Sequence, residues 1–210
     1  MQFTTYSDEE RVADGILHVV GVAASCIAFL AMMTAALFLR PLPITASLGV
    51  YGIGMLAMFG CSAAYNLISS SQWKGLLQRL DHAAIFLKIA GTYTPFGVIM
   101  GGVAGYLLIA VVWTVALVGI VGKFFATHWK GMDVLIYLLL GWVGILAYRP
   151  LSEAIPVTAL ILLVIGGLLY SAGVVFHLWR NLKYQNAIWH AFVLIATACH
   201  FGAVTTAAFA

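Results

Sequence analysis

The chain has 210 residues, 63% of them hydrophobic and 8% charged, with a mean hydropathy of +1.05 and a formal net charge of +3. Those values lie far outside the range of soluble domains, and so small a charge gives no reason to expect a nucleic-acid partner. Apolar runs of about twenty residues recur instead, each long enough as a helix to cross a ~30 Å hydrocarbon core.

The opening "MQFTTYSDEERVAD" is acidic and lacks the basic n-region and cleavage site of a secretory signal peptide, so none is expected. Seven apolar runs follow, at roughly 15–38, 44–69, 82–101, 104–125, 133–148, 155–178 and 187–209. They are continuous rather than alternating, and helices satisfy their own backbone in lipid. The expected fold class is therefore all-α: a seven-transmembrane-helix bundle forming a single membrane domain over residues 1–210.

At the start of the first span Glu10, Asp14 and His18 are four residues apart and share one helix face. In the second, "YGIGMLAMFG" supplies small residues that let helices approach closely, and Ser62 and Asn66 pair at its end. The connection "SSSQWKGLLQRL" carries apolar residues at helical spacing beside Lys74 and Arg79. Both a short interfacial helix and a solvated loop are compatible with it. Along the third span Asp81, Ile85, Lys88 and Thr92 form a stripe, and Pro95 should kink the helix or free a carbonyl near Gly91.

His128 and Lys130 fall in the connection after the fourth span, Asp133 opens the fifth, and His177 ends the sixth. The seventh begins "NAIWHAFVLIATACH", with Asn186 and His190 on one face. His200 is ten residues beyond His190, about 15 Å along the helix, so the two cannot share an ion. It is expected to bond a carbonyl or a tyrosine hydroxyl. His82 and His177 are expected at the interface, and Cys26, Cys61 and Cys199 as free buried thiols.

Arg11, Lys74, Arg79, Lys123, Lys130, Arg180 and Lys183 fall at one end of the spans, and only Arg40 and Arg149 at the other. This bias places the N-terminus in the cytoplasm and the C-terminus outside. Glu10, Asp14, His18, Ser62, Asn66, Asp81, Asn186 and His190 then crowd the cytoplasmic end, with Lys88 deeper. Intramembrane ionisable groups face the bundle interior and partner one another, so a polar cavity facing the cytoplasm is expected. The competing view is that Glu10, Asp14 and Asp81 complement helix dipoles at the interface.

The stretches "RLDHAAIFLKIAGTYTPF" and "NAIWHAFVLIATACHF", with "EERVADGILHVVG" and "SAAYN", closely resemble the bacterial hemolysin III proteins. Those group with the progestin and adiponectin receptors and, more distantly, the alkaline ceramidases. The resemblance implies seven helices around a zinc ion near the cytoplasmic end. The ion is held by the histidine of Ser-x-x-x-His in span two and both histidines of His-x-x-x-His in span seven. An aspartate opening span three orients a water, for hydrolysis of a lipid amide.

Carried onto this chain, Ser62 matches the serine, Asp81 the aspartate and His190 the last histidine, while Asn66 and Asn186 occupy the other two ligand positions. Asparagine amides are poor partners for zinc, so no cofactor is the first expectation and zinc the alternative. Lys88 stands where relatives are expected to be apolar. It is expected to pair with Asp81, Asp14 or Glu10, replacing the charge of a lost metal.

The reading that follows is a metal-poor or metal-free, receptor-like or lipid-binding protein of the bacterial inner membrane, with membrane lipid or a lipid-like ligand as partner. The first alternative is a zinc-dependent hydrolase of a lipid amide, with Asp81 and Ser62 as catalytic residues and His190 as metal ligand. The second is a pore or transporter, for which no internal repeat or ring of charges speaks.

Overall fold

A computed structural model describes residues 7–125 and 133–210; His128 and Lys130 lie outside them. The described chain is helical, with no strand: α1 Asp8–Leu39, α2 Leu42–Leu67, α3 Lys74–Met100, α4 Gly102–Phe125, α5 Asp133–Trp142, α6 Tyr148–Ala154, α7 Val157–Leu178 and α8 Gln185–Phe209. A 3₁₀ stretch, Val143–Ala147, joins α5 to α6, and the three together form one span. Seven helices are thus long and apolar enough to cross a membrane.

Consecutive helices α1 to α4 pack side by side, α7 pairs with α8, and α8 returns against α1 and α3. The most buried span is α3. Outward-facing side chains such as Leu30, Phe38, Leu107, Leu146 and Leu168 are large, apolar and exposed, as a lipid-facing surface requires.

Close approach depends on glycine at particular points. A Cβ on Gly105 would stand 2.2 Å from the Gly97 carbonyl, and one on Gly54 2.9 Å from the Leu87 carbonyl. Backbone against backbone leaves no side chain to move aside, so the close approach of α3 to α4 and to α2 at these points requires glycine.

Several boundaries differ from the sequence reading for local reasons. Helix α1 begins at Asp8 because Ser7 and Glu10 form a reciprocal capping box. The residues "WKGLLQRL" are neither a loop nor a separate interfacial helix; from Lys74 onward they are the first turns of α3. That helix is continuous through Pro95, which is buried.

The fifth span breaks around Gly141 and Gly144 and resumes at Tyr148, where Pro150 is tolerated in the first turn of α6. Tyr93 of α3 bridges the break. Its hydroxyl donates to the Gly141 carbonyl at 2.5 Å and accepts from the Gly144 N–H at 3.0 Å. The three cysteines are free as expected, but Cys26 is exposed and the other two are half-buried.

Candidate functional site

Local structure at one end of the bundle sets the register of α1 against α8. Glu10 accepts from Ser7 N–H through Oε2 and from Tyr184 N–H through Oε1, both at 2.8 Å. Tyr184 has φ +59°, a left-handed conformation costing about 1–2 kcal/mol outside glycine, and the Glu10 bond holds it there. The Gln185 amide donates to the His177 carbonyl at 2.8 Å, so the turn from α7 into α8 is tied on both sides. Glu10 is accordingly a capping and clamping residue, not the cavity residue the sequence reading expected.

With α8 so placed, Asn186 and His190 meet Asp14. His190 Nδ1 lies 2.5 Å from Asp14 Oδ1, and Asn186 Nδ2 donates to Asp14 Oδ2 at 2.9 Å. One turn along α1, His18 Nε2 is 3.4 Å from Asp14 Oδ2. The His18 and His190 ring centroids are 4.3 Å apart. Asn186 Nδ2 also reaches Asn66 Oδ1 at 3.3 Å, and Asn66 Nδ2 donates to the Ser62 carbonyl at 2.9 Å. Asp14, Asn66 and Asn186 thus form a bonded layer that ties α1, α2 and α8 together.

Beyond that layer a cavity of about 460 Å³ lies among α3, α5, α7 and α8, with α1 and α2 contributing to its lining. His18, Ser62, Asp81 and His190 stand at its polar end. Its walls are mainly apolar, including Met58, Ile85, Ile89, Phe96, Leu138 and Leu163. Of the residues expected to line it, His18 and Lys88 do; Glu10, Asp14, Asn66 and Asn186 do not, because the layer stands behind His18 and His190.

Lys88 departs from expectation in its partners. It is 3% exposed, donates to Thr92 Oγ1 at 2.8 Å and lies 4.8 Å from the centre of the Tyr51 ring. It forms no ion pair with Asp81, Asp14 or Glu10. The ammonium turns one helical turn forward, to a hydroxyl within bonding distance, while Asp14 is engaged by two histidines and an asparagine and Glu10 by the cap.

Sequence reasoning missed much of the cavity wall. His82 and His177, expected in headgroup contacts, line it, as do Tyr93, Trp142 and Tyr170. Tyr170 bonds Thr197 at 2.5 Å and Trp142 donates to Ser171 at 3.0 Å. The available signal was polar aromatics in mid-span with hydroxyl partners. His200 Nε2 lies 3.2 Å from the Leu163 carbonyl, a partner of the kind expected.

At two of the three positions where the resemblance implies zinc ligands, Asn66 and Asn186, the side chains do not fit that ion, while His190 at the third does. Asn66 and Asn186 offer amide oxygens, and the Asn66 oxygen accepts a hydrogen bond from the Asn186 amide. Zinc prefers imidazole and thiolate to neutral amides.

A family model described as haemolysin-III related matches residues 7–201. A hemolysin-3 homolog of Bacillus subtilis (strain 168) is 35% identical over 200 residues, covering 93% of this chain and 93% of that protein. The hemolysin-3 of Bacillus cereus is 37% identical over 195 residues, covering 92% and 89%. The human monocyte to macrophage differentiation factor is 28% identical over 167 residues, covering 74% and 67%.

Proposed function

Because the chain belongs to the haemolysin-III-related family, an assignment that rests on matches along nearly its whole length, we propose that it is a lipid-binding, receptor-like protein of the bacterial cytoplasmic membrane. Its N-terminus faces the cytoplasm, as the excess of Lys and Arg at that end of the spans supports.

The observation that carries the reading is the cavity. Its volume of about 460 Å³ falls within the ~300–1,000 Å³ of small-molecule sites. Apolar walls with polar groups at one end suit an amphiphile, whose chain lies along Ile85, Ile89 and Leu163 and whose head meets Ser62, Asp81 and His190. Lys88, midway and without a carboxylate partner among the described residues, favours a ligand with an oxygen acceptor at that depth. A continuous pore is poorly served by such walls.

The hydrolase reading draws on Asp81 and Ser62 standing together beside His190. The asparagines at positions 66 and 186 leave a zinc-dependent reaction on the family's ligand positions unsupported by the side chains present.

The test is lipid retention. The protein, purified in mild detergent, is expected to keep about one lipid per chain in native mass spectrometry, and Leu163→Trp, which fills the cavity, to reduce occupancy at least tenfold. Equal retention by both, or none by either, would overturn the reading.

A further inference from the structure

Asp14, His18 and His190 each offer a ligand atom, and those atoms all lie within 4.8 Å of one another. His18 is 3% exposed and Asp14 8% exposed, well inside the bundle. His18 Nε2 is buried without a hydrogen bond: its 3.4 Å approach to Asp14 Oδ2 misses hydrogen-bond alignment. An imidazole nitrogen buried without a hydrogen bond, 3.4 Å from a carboxylate that a second imidazole already shares, is what an unfilled set of ligands presents.

We infer that Asp14, His18 and His190 form a binding site for a borderline-soft divalent cation such as zinc, set on α1 and α8 in place of the asparagine-bearing positions of α2 and α8. Two imidazoles and one carboxylate are a ligand combination that zinc and other first-row divalent ions accept with positions left open. Metal–ligand bonds of 2.0–2.2 Å put tetrahedral ligand atoms about 3.3 Å apart. The Asp14–His190 contact therefore opens by less than 1 Å from 2.5 Å. The other separations, all within 4.8 Å, close by at most about 1.5 Å, within reach of side-chain rotation.

The asparagines then act one layer out. Asn186 donates to Asp14 Oδ2 at 2.9 Å and is itself backed by Asn66, which orients the carboxylate as second-layer groups do around a metal. Ser62 and Asp81 line the same cavity as His18 and His190. This site is independent of what occupies the apolar part of the cavity, and its readouts are separate from lipid retention.

The experiment is a Co²⁺ titration of the chelator-stripped full-length protein in detergent, followed by visible d–d absorption, with Zn²⁺ competition and a thermal melt run alongside. The wild type is expected to take up about one Co²⁺ per chain, with a band that Zn²⁺ abolishes, and to melt higher with Zn²⁺. His18→Gln and Asp14→Asn are expected to weaken Co²⁺ binding at least tenfold and to lose the Zn²⁺-induced shift. Asn186→Ala, which leaves all three ligands, should weaken binding less than His18→Gln does. No Co²⁺ band in the wild type, or a band unchanged in His18→Gln, would overturn the assignment. If Asp14→Asn fails to fold, the His18→Gln comparison decides alone.

Discussion

Replacing Lys88 by leucine should stabilise the protein while impairing its cavity. A lysine at the centre of a span is unfavourable by about 2.5–3.5 kcal/mol and a leucine favourable by about 0.3–0.6 kcal/mol, a gross gain of about 3–4 kcal/mol. Against it stand the contacts Lys88 makes. The bond to Thr92 is worth about 0.6–1.7 kcal/mol in a membrane. The Tyr51 cation–π contact, out of water, is worth about 2 kcal/mol. With the Thr92 bond at the average of about 0.6 kcal/mol, the balance is a stabilisation of about 1 kcal/mol, or a melting-temperature rise of about 2–4 °C for a chain of this size.

Reversible unfolding in mixed micelles, with a thermal melt of the same samples, measures it. Lipid retention should fall in parallel, because the charged group that makes the cavity selective is also the one that destabilises it. A loss of about 3 kcal/mol or more would refute the reasoning, since that is what breaking a buried ion pair costs. It would mean that an anionic partner neutralises the ammonium in place.

Three further substitutions probe the frame around the site. Tyr93→Phe removes both hydrogen bonds across the break in the fifth span and should cost about 1–3 kcal/mol, at about 0.6–1.7 kcal/mol per bond. Tyr51→Phe removes a buried hydroxyl that has no hydrogen-bond partner among the described residues and should be neutral or stabilising. Equal effects in the two unfolding curves would contradict this account of the break. Gly105→Ala places a methyl 2.2 Å from the Gly97 carbonyl and must part α3 from α4. It should destabilise by about 1–3 kcal/mol, and a melt unchanged from wild type would show that the helices separate freely.

Much of the architecture is legible in the composition. Runs of twenty apolar residues have one stable form in lipid, because each backbone group must find its partner within its own segment. The seven spans, their approximate limits and the crowding of Asp14, His18, Asn66, Asp81, Asn186 and His190 near one end follow from length and spacing alone. Boundaries shifted where side chains extended a helix, as the Ser7–Glu10 box did for α1, or where a hydroxyl bridged a break, as Tyr93 did.

Which polar groups touch was decided by the tertiary structure. Spacing places Asp14 and His18 on one helix face, but the rotation of α8 against α1, held by Glu10 and Tyr184, brings His190 rather than Lys88 to Asp14. Lys88 shares a stripe with Asp81, yet its side chain reaches forward to Thr92. Helix periodicity determines the face of a residue to within a turn. Its partner depends on the rotation and offset of neighbouring helices, and those follow from packing between segments far apart in the chain.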